Sequence, residues 1–196
     1  ADGSYQYVAN TAAAEALDAS DEVTDVFTYT LKDDADVNSS TATLTITVTG
    51  VDDDPVGVND TGAVNEDATL NVSAGSGVLS NDTDADDSAS LSVSAISGGT
   101  VGQAKNGTYG ALTLNSNGSY SYVANQSGAD GLAAGATAID YFTYTVQDHN
   151  SGDTDTAQLA ITVTGVGPQA VADTGSVNEN ATLTVNEASG VIANDD

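Results

Sequence analysis

The residues best suited to chemistry are one asparagine and three closely spaced acids in one short stretch. They are Asn81, Asp82, Asp84 and Asp86. Acids two positions apart in a loop can turn several oxygens toward one point, and Ca²⁺ takes about six to eight oxygen ligands. The spacing resembles the start of an EF-hand loop, but Asp87 replaces the required glycine and Val93 the closing glutamate. The stretch therefore predicts a calcium loop of another kind, with a solvated acidic turn as the alternative.

Two further acidic groups are candidate metal ligands. Glu66 is repeated later in the chain as Glu179, and repetition beside an acidic loop favours a metal role over a solvated strand-edge side chain. Asp52 and Asp53 belong to an acidic run before Pro55. Such a run is normally a hydrated linker, but between two packed β-units it could hold a bridging ion. A third cluster consists of Asp33, Asp34, Asp36 and Asn38, answered by Asp148, Asp153 and Asp155. Only Asp33 and Asp148 align directly, and we interpret the rest as turn polarity.

Nothing in the sequence marks a catalytic site, and we expect no enzyme. His149, the single histidine, lies in a polar turn, so neither a histidine metal site nor a Ser-His-Asp triad is expected. Paired carboxylates of the glycosidase type carry no information in so acidic a chain. Four tyrosines alternate with polar residues and favour packed strand aromatics over a platform for stacking sugars: Tyr5, Tyr7, Tyr120 and Tyr122.

The charge balance excludes several classes of partner. The 196 residues carry 29 acids and 2 basic residues, for a net charge of −27. This field repels nucleic acids and anionic lipid headgroups and attracts divalent cations. No apolar run is long enough to be a transmembrane helix, so we expect no membrane insertion. Cysteine is absent, and methionine is absent even at position 1, which predicts an excerpt or a processed product.

The elements that would position these acids are β-strands. In the stretch Thr41–Thr49, Leu44, Ile46 and Val48 alternate with threonines, which predicts a strand with one buried face. Strands are expected near 4–8, 23–31, 41–49, 57–64, 68–72, 91–97, 110–114, 119–124, 139–147 and 156–164, with one or two more before 192. The alanine-rich stretch 11–17 is interpreted as a loop or a single helical turn.

Internal repetition divides the chain. Residues 3–10 return at 118–125, an offset of 115, and Asp60-Thr61-Gly62 returns as Asp173-Thr174-Gly175, an offset of 113. We expect residues 1–50 to be the C-terminal part of a preceding repeat, 51–55 an acidic linker, 56–165 one complete repeat and 166–196 the N-terminal part of a following one. The chain is expected to open within a hairpin whose first strand is missing.

The longest motifs carry a family resemblance. The segments GSYSYVAN, DYFTYTVQD and DTAQLAITVTG, with VNEDATLNVSAGSGVLSNDTDADD before them, resemble the VCBS and cadherin-like tandem repeats of large bacterial surface adhesins, including biofilm and RTX-type adhesins. The resemblance implies all-β tandem Greek-key sandwiches, immunoglobulin-like or cadherin-like, exported to the bacterial cell surface and stiffened by Ca²⁺. It assigns Asn81, Asp82, Asp84 and Asp86 to the family's acidic loop, and Glu66 with Asp52–Asp53 to positions near the domain junction.

Three functions follow as hypotheses. The leading one is an extracellular extender or fibre segment of an adhesin, stiffened by Ca²⁺ at acidic loops and at the linker between repeats. The second is a filament subunit joined by strand exchange between incomplete repeats of identical chains. The third is a module that binds surface glycans. The second junction, Gly165–Pro168, has no acid, so we expect the junction at Asp52–Asp54 to be the more rigid one.

Overall fold

The computed structural model describes residues 3–32, 38–86, 89–168, 171–186 and 189–191, with the backbone alone for Asn38 and Ser39. Within these ranges the strands are β1 (Glu22–Lys32), β2 (Asn38–Thr49), β3 (Asp60–Asn65), β4 (Thr69–Val72), β5 (Leu91–Ile96), β6 (Ala104–Asn106), β7 (Ala111–Leu114), β8 (Tyr120–Val123), β9 (Thr137–Asp148) and β10 (Thr154–Thr164). Two one-turn helices, α1 (Ala12–Glu15) and α2 (Ser127–Asp130), and a 3₁₀ turn at Ala74–Ser76 complete the set. The acids Asp33, Asp34, Asp36 and Asp87 lie outside the described residues.

Strands β3 to β10 form a two-sheet sandwich. One sheet has the order β3-β10-β9-β5 and the other β4-β8-β7-β6. Strand β3 runs parallel to β10, and the other pairs are antiparallel. Side chains from both sheets meet in one core that includes Val93, Leu112, Tyr122, Phe142 and Leu159. The predicted all-β sandwich is therefore confirmed.

The alternating pattern in the sequence has its expected structural result in β10. Ala157, Leu159, Ile161 and Val163 are buried, and the residues between them are partly exposed. Successive side chains of a strand point to opposite faces, so alternation of apolar residues and threonine gives one buried face. The residues of the other face, mostly threonines, are partly exposed to water.

In the described part of the first copy of the repeat, the strands are β1 and β2, which pair as a hairpin. Phe27 and Tyr29 of β1 are both 48% exposed, whereas Phe142 and Tyr144, their counterparts in β9, are buried. The same residue types thus meet water in one copy and a core in the other. The difference arises because a second sheet covers β9 in the complete repeat, whereas β1 belongs to a two-stranded sheet.

The prediction of a strand at residues 4–8 is wrong. Within the part of the chain that the structure describes, residues 3–10 have no strand partner, although their counterpart β8 is paired on both sides, with β4 and with β7. No strand is formed within residues 171–186 either. A short strand needs a paired strand to satisfy its backbone hydrogen bonds, and among the described residues neither segment pairs with a strand.

The alanine-rich stretch was predicted to be a loop or a single turn, and α1 is a single turn. Strand β6 was not predicted, because its three residues are too few to show a period. No helix in the described ranges is long and apolar enough to cross a membrane.

Candidate metal centre

Three acidic segments meet at one end of the sandwich. They are the linker with Asp52 and Asp53, the loop with Asp84 and Asp86, and the β9–β10 turn. A depression of about 410 Å³ lies between them, lined by Asp18, Ala19, Asp52, Asp86, Ala89, Asp148, Asn150, Ser151 and Asp153. Residues far apart in the chain therefore bring carboxylates together at the junction between the first hairpin and the sandwich.

Backbone groups hold the loop carboxylates in place. The Asp53 backbone N–H donates to Asp86 Oδ2 at 3.0 Å, and the Asp86 N–H donates to Asp84 Oδ1 at 3.0 Å. The remaining oxygens, Asp84 Oδ2 and Asp86 Oδ1, are buried without a hydrogen-bond partner among the described residues. A buried carboxylate oxygen without a partner is costly, so these two atoms are the strongest sign of a missing ligand.

The pKa values of two acids at this end are raised above the ordinary value of an aspartate. A hydrogen bond with the Asp153 carboxyl group raises the pKa of Asp52, and burial and the negative charges of Asp153 and Asp86 act in the same direction. Burial raises the pKa of Asp84, and the charges of Asp148, Asp86 and Asp53 add to that effect. Each shift means that a neighbouring proton or cation would stabilise the arrangement.

Asp148 has the opposite environment. Its carboxylate is buried and accepts backbone N–H groups from Ser90 at 3.0 Å, Asn150 at 3.2 Å and Ser151 at 3.0 Å, with the Ser151 hydroxyl group at 3.1 Å. The Ser90 bond is the largest of the effects that lower its pKa to about 2. Asp148 therefore stays charged and organises the turn beside the depression.

Asn81 and Asp82 face a different cluster. Asp82 Oδ1 accepts the Val58 N–H at 2.6 Å, and the Tyr144 hydroxyl group lies 3.4 Å from Asp82 Oδ2 and 2.8 Å from Asp60 Oδ2. With its amide turned to suit its neighbours, Asn81 donates to Asp60 Oδ1 at 3.1 Å. Burial raises the pKa values of both Asp60 and Asp82. The predicted four-residue loop therefore divides into two clusters with different surroundings.

Glu66 lies at the opposite end of the sandwich. Its Oε1 accepts the Val166 N–H at 2.9 Å, and its Oε2 is buried without a hydrogen-bond partner among the described residues. Glu66, Asp67 and Asp130 line a depression of about 580 Å³ beside the second linker. Strand β3, whose six residues at about 3.3 Å each span about 20 Å, ends beside Glu66, whereas the segment from Asp52 and Asp53 leads into its beginning. The candidate ligands thus belong to two junctions rather than one.

The sequence analysis did not predict Asp148 and Asp153 as members of the site, and it interpreted Asp153 as turn polarity. The signal that could have placed them is strand direction. Antiparallel β9 and β10 put their turn at the end where β10 begins, and parallel β3 begins at that same end, next to the linker. The pairing of β3 with β10, which no local pattern reveals, was needed to use that signal.

The residues fit a hard cation such as Ca²⁺. Carboxylate oxygens surround the depression, two buried oxygens have no partner among the described residues, and the whole chain has 2 basic residues. Within the described ranges, no group of three or more His, Cys, Asp or Glu side chains is arranged, as it stands, to hold a metal ion. Ion binding at this end would therefore require rotation of the Asp52, Asp84 or Asp86 side chains.

Comparison with known proteins gives one family. The model of the bacterial cadherin-like domain matches residues 52–165. Among solved structures, a mouse clustered protocadherin, PcdhgC3 EC1-3, is 18% identical with a TM-score of 0.38, over 74% of this chain and 44% of that one. Human Protocadherin-24 EC1-2 is 12% identical with a TM-score of 0.35, over 74% of this chain and 66% of that one. The chain thus spans less than half of the mouse structure. No curated protein matches it.

Proposed function

The chain belongs to the bacterial cadherin-like domain family, and from that premise we propose that it is an extracellular extender segment of a bacterial surface adhesin. In this proposal residues 1–50 and 166–196 belong to repeats on either side of the complete repeat 56–165, with 51–55 as linker. Ca²⁺ bound at the junctions neutralises the acids and restricts hinge motion. The proposal assigns the chain no catalytic role.

One observation carries the calcium proposal: Asp84 Oδ2 and Asp86 Oδ1 are buried without hydrogen-bond partners among the described residues. Asp86 also lines the depression, together with Asp52, Asp148 and Asp153. A divalent ion would supply the missing partner and reduce the repulsion between Asp52, Asp86 and Asp153. Bound Ca²⁺ would link the linker, the acidic loop and the β9–β10 turn. Asp18 and Ala19 of the first hairpin also line the depression, so binding there would couple the two units.

A calcium titration followed by thermal unfolding tests this proposal. Extracellular calcium modules bind with Kd of about 10⁻⁴–10⁻³ M. With a Kd of about 1 mM, about 10 mM Ca²⁺ stabilises the folded state by about 1.4 kcal/mol and raises the Tm by roughly 5 °C. Chelation should reverse the increase. Small-angle scattering should show a narrower range of molecular extensions with calcium than without it.

The matched variants are Asp84→Asn with Asp86→Asn, and Glu15→Gln with Glu22→Gln. Both pairs remove two negative charges, but Glu15 and Glu22 are exposed and are not among the residues that line the depression. The first pair should lose most of the calcium-dependent rise in Tm, and the second should keep it. An equal rise in both, or no rise in the unaltered chain, would contradict the proposal.

A glycan-binding role is the second candidate, and it rests on one exposed ring. Tyr120 and Tyr122 are buried in the core, whereas Tyr5 is 66% exposed. Tyr5 could therefore stack on a sugar. A glycan array probed with the chain and with Tyr5→Ala tests this role, and an array without hits removes it.

A further inference from the structure

We propose that two copies of this chain associate side by side through the outer face of the sheet β3-β10-β9-β5, which we call the flank. The flank consists of the strand residues whose side chains point away from the core. They are the odd-numbered residues of 137–147 in β9, the even-numbered residues of 154–164 in β10, three residues of β3 and three of β5. Those of β3 and β5 are Thr61, Ala63, Asn65, Ser92, Ser94 and Ala95.

The flank carries no charge. Its 18 residues include eight threonines, and the others are small, amide or apolar residues. Charged residues make up 16% of the whole chain, a share that would place about three of them among 18 positions. The acids concentrate instead at the ends of the sandwich, where Asp86 and Asp153 line one depression and Glu66 and Asp130 line the other. The flank is therefore a neutral surface on a molecule with a net charge of −27.

Two large hydrophobic side chains stand in the middle of this neutral surface. Tyr141 is 59% exposed and Ile139 is 42% exposed. In the register of the sheet, Tyr141 lies opposite Ala160, and Ile139 lies opposite Thr162, which in turn lies opposite Ala63. A projecting ring thus stands directly beside a strand position that carries only a methyl group. The flank therefore has both a projection and a hollow that such a projection can fill.

The exposure of the flank does not depend on where the sequence begins or ends. The linker with Asp52 and Asp53 reaches the sandwich at one end, and the linker with Val166 leaves it at the other, beside Glu66. Repeats joined through these linkers meet the ends of the sandwich rather than its sides. The outer face of the sheet stays open to solvent in a longer chain.

The neutral character of this face is repeated in the first copy. With the offset of 115, the counterparts of the central flank residues are all uncharged: Thr24, Val26 and Thr28 in β1, and Thr45 and Thr47 in β2. Val26 takes the place of Tyr141 and is paired with Thr45, the counterpart of Ala160. An apolar residue at the centre of an uncharged face is therefore a property of the repeat.

Charge points to a second copy of the chain as the occupant of this face. Two molecules with a charge of −27 repel each other, and the flank is a surface through which they can meet without bringing carboxylates into contact. A cationic partner would be drawn to the acidic ends instead, and an anionic partner would be repelled. A neutral, partly apolar face is thus best matched by another one like it.

The flank can pair with itself by two-fold symmetry. An axis that runs along the strands, midway between β9 and β10, places each Tyr141 over the partner's Ala160. It also places Ile139 over the partner's Thr162. Sheets that pack face to face keep their strands aligned within about 30° and lie about 10 Å apart, which leaves room for these side chains to interdigitate.

The area of the flank predicts a weak interface. Strands about 4.8 Å apart with a rise of about 3.3 Å per residue give the flank roughly 500 Å², so the pair buries roughly 1,000 Å², the low end for specific interfaces. One repeat should therefore associate only at high concentration. In a tandem array, such as the extender proposed above, many weak contacts would act together.

Sedimentation equilibrium of the chain, at concentrations up to about 1 mM, tests the association, because a weak interface is populated only at such concentrations. The average mass should rise above the 19.4 kDa of one chain as the concentration increases. The rise should be larger in about 0.5 M NaCl, because salt screens the repulsion between the acidic ends. The association does not rest on calcium binding, so the measurement is made with chelator present.

Ala160→Asp and Ala111→Asp form a matched pair. Both alanines are partly exposed at outward positions in the middle of a sheet, but Ala111 belongs to the other sheet, β4-β8-β7-β6. Ala160→Asp should raise the dissociation constant at least about tenfold, about 1.4 kcal/mol, because two carboxylates would face each other across the axis. Ala111→Asp adds the same charge and should change it less than about twofold. The Tm of each variant shows whether the sandwich still folds.

A mixture of two variants separates contact at the flank from a general loss of structure. Ala160→Asp chains repel each other across the axis, and so do Ala160→Lys chains. An equimolar mixture should associate more strongly than either variant alone, because aspartate then meets lysine.

Three results would overturn the proposal. The first is a chain that stays at 19.4 kDa at every concentration and salt. The second is an equal effect of Ala160→Asp and Ala111→Asp, or a mixture that associates no better than its parts. The third is a chain that stays monomeric but is retained on an insoluble neutral polysaccharide and released by Tyr141→Ser, which would assign the flank to a glycan.

Discussion

At the scale of single residues, equivalent positions of the two copies of the repeat can be compared directly. Asp140 and Asp25 occupy equivalent positions, and each accepts a tyrosine hydroxyl group. Asp140 also accepts the backbone N–H groups of Thr108 at 2.8 Å, Tyr109 at 3.0 Å and Gly110 at 3.1 Å. One carboxylate thus joins β9 to β8 and to the segment before β7, which makes Asp140 part of the fold rather than of a metal site.

Asp140→Ala should destabilise the complete repeat by about 3–5 kcal/mol, because it leaves a buried hydroxyl group and three backbone donors without an acceptor. Asp25→Ala should cost about 1 kcal/mol or less, since Asp25 is exposed and the Tyr7 hydroxyl group can turn to water. Urea unfolding of both variants measures the difference. Equal effects would show that the Asp140 interactions with backbone groups contribute nothing.

The lowered pKa of Asp148 predicts a specific pH dependence. Folding holds this pKa at about 2, below the ordinary 3.8, so the folded state binds the proton less readily than the unfolded state. The stabilisation is therefore fully present above about pH 4 and is lost as the pH falls toward about 2. The pKa is lowered because backbone N–H groups donate hydrogen bonds to the charged carboxylate.

Asp148→Asn tests this sign, because an amide cannot accept all of these donors. The variant should be less stable than the unaltered chain by about 1–3 kcal/mol at about pH 5. The difference should shrink at about pH 2.5, where the unaltered carboxyl group is partly protonated. Unfolding in urea without calcium at both pH values measures it. A difference that is the same at both would refute the assigned pKa shift.

At the scale of elements, the sequence predicted most strand positions, but it did not predict which strands pair. The alternation in 154–164 predicts β10 and its buried face, because the period of two is a local property of the chain. The same kind of pattern at residues 4–8 did not produce a strand. A strand forms there only if a second strand pairs with it, and the sequence of the segment itself does not show whether one does.

The acidic loop shows the same limit. Its four candidate ligands are close in sequence, yet Asp82 contacts Tyr144 and Val58 whereas Asp86 contacts the linker. Neighbouring residues of an irregular loop can point in different directions, so spacing alone does not determine which oxygens converge. Asp153, from a distant turn, contacts Asp52 instead.

At the scale of the whole molecule, the two junctions differ in their carboxylates. The first brings together acids of the linker, the loop and the β9–β10 turn, with two buried oxygens lacking partners among the described residues. The second linker has no acid of its own, but Glu66, Asp67 and Asp130 line it, and one Glu66 oxygen is buried without a partner there. Both could bind an ion, and the first offers more ligands.

Calcium should therefore protect the two linkers unequally. We expect amide hydrogen exchange to slow more at residues 51–54 than at 165–167 when calcium is added, because a bound ion would hold the first linker to more segments. Exchange in chelator provides the baseline, and the core strand β10 provides a region without change. Equal slowing at the two linkers would contradict the expected asymmetry.

The sequence by itself determined the all-β class, the repeat, the family and the acidic character that favours divalent cations. These follow from local periodicity, from direct comparison of segments and from charge, none of which needs contacts between distant residues. Only the tertiary structure decided that Glu66 and the Asp52 junction lie at opposite ends of β3, and that Asp148 and Asp153 lie at the Asp52 junction. Those positions depend on the parallel pairing of β3 with β10, a contact across about 100 residues that no local pattern encodes.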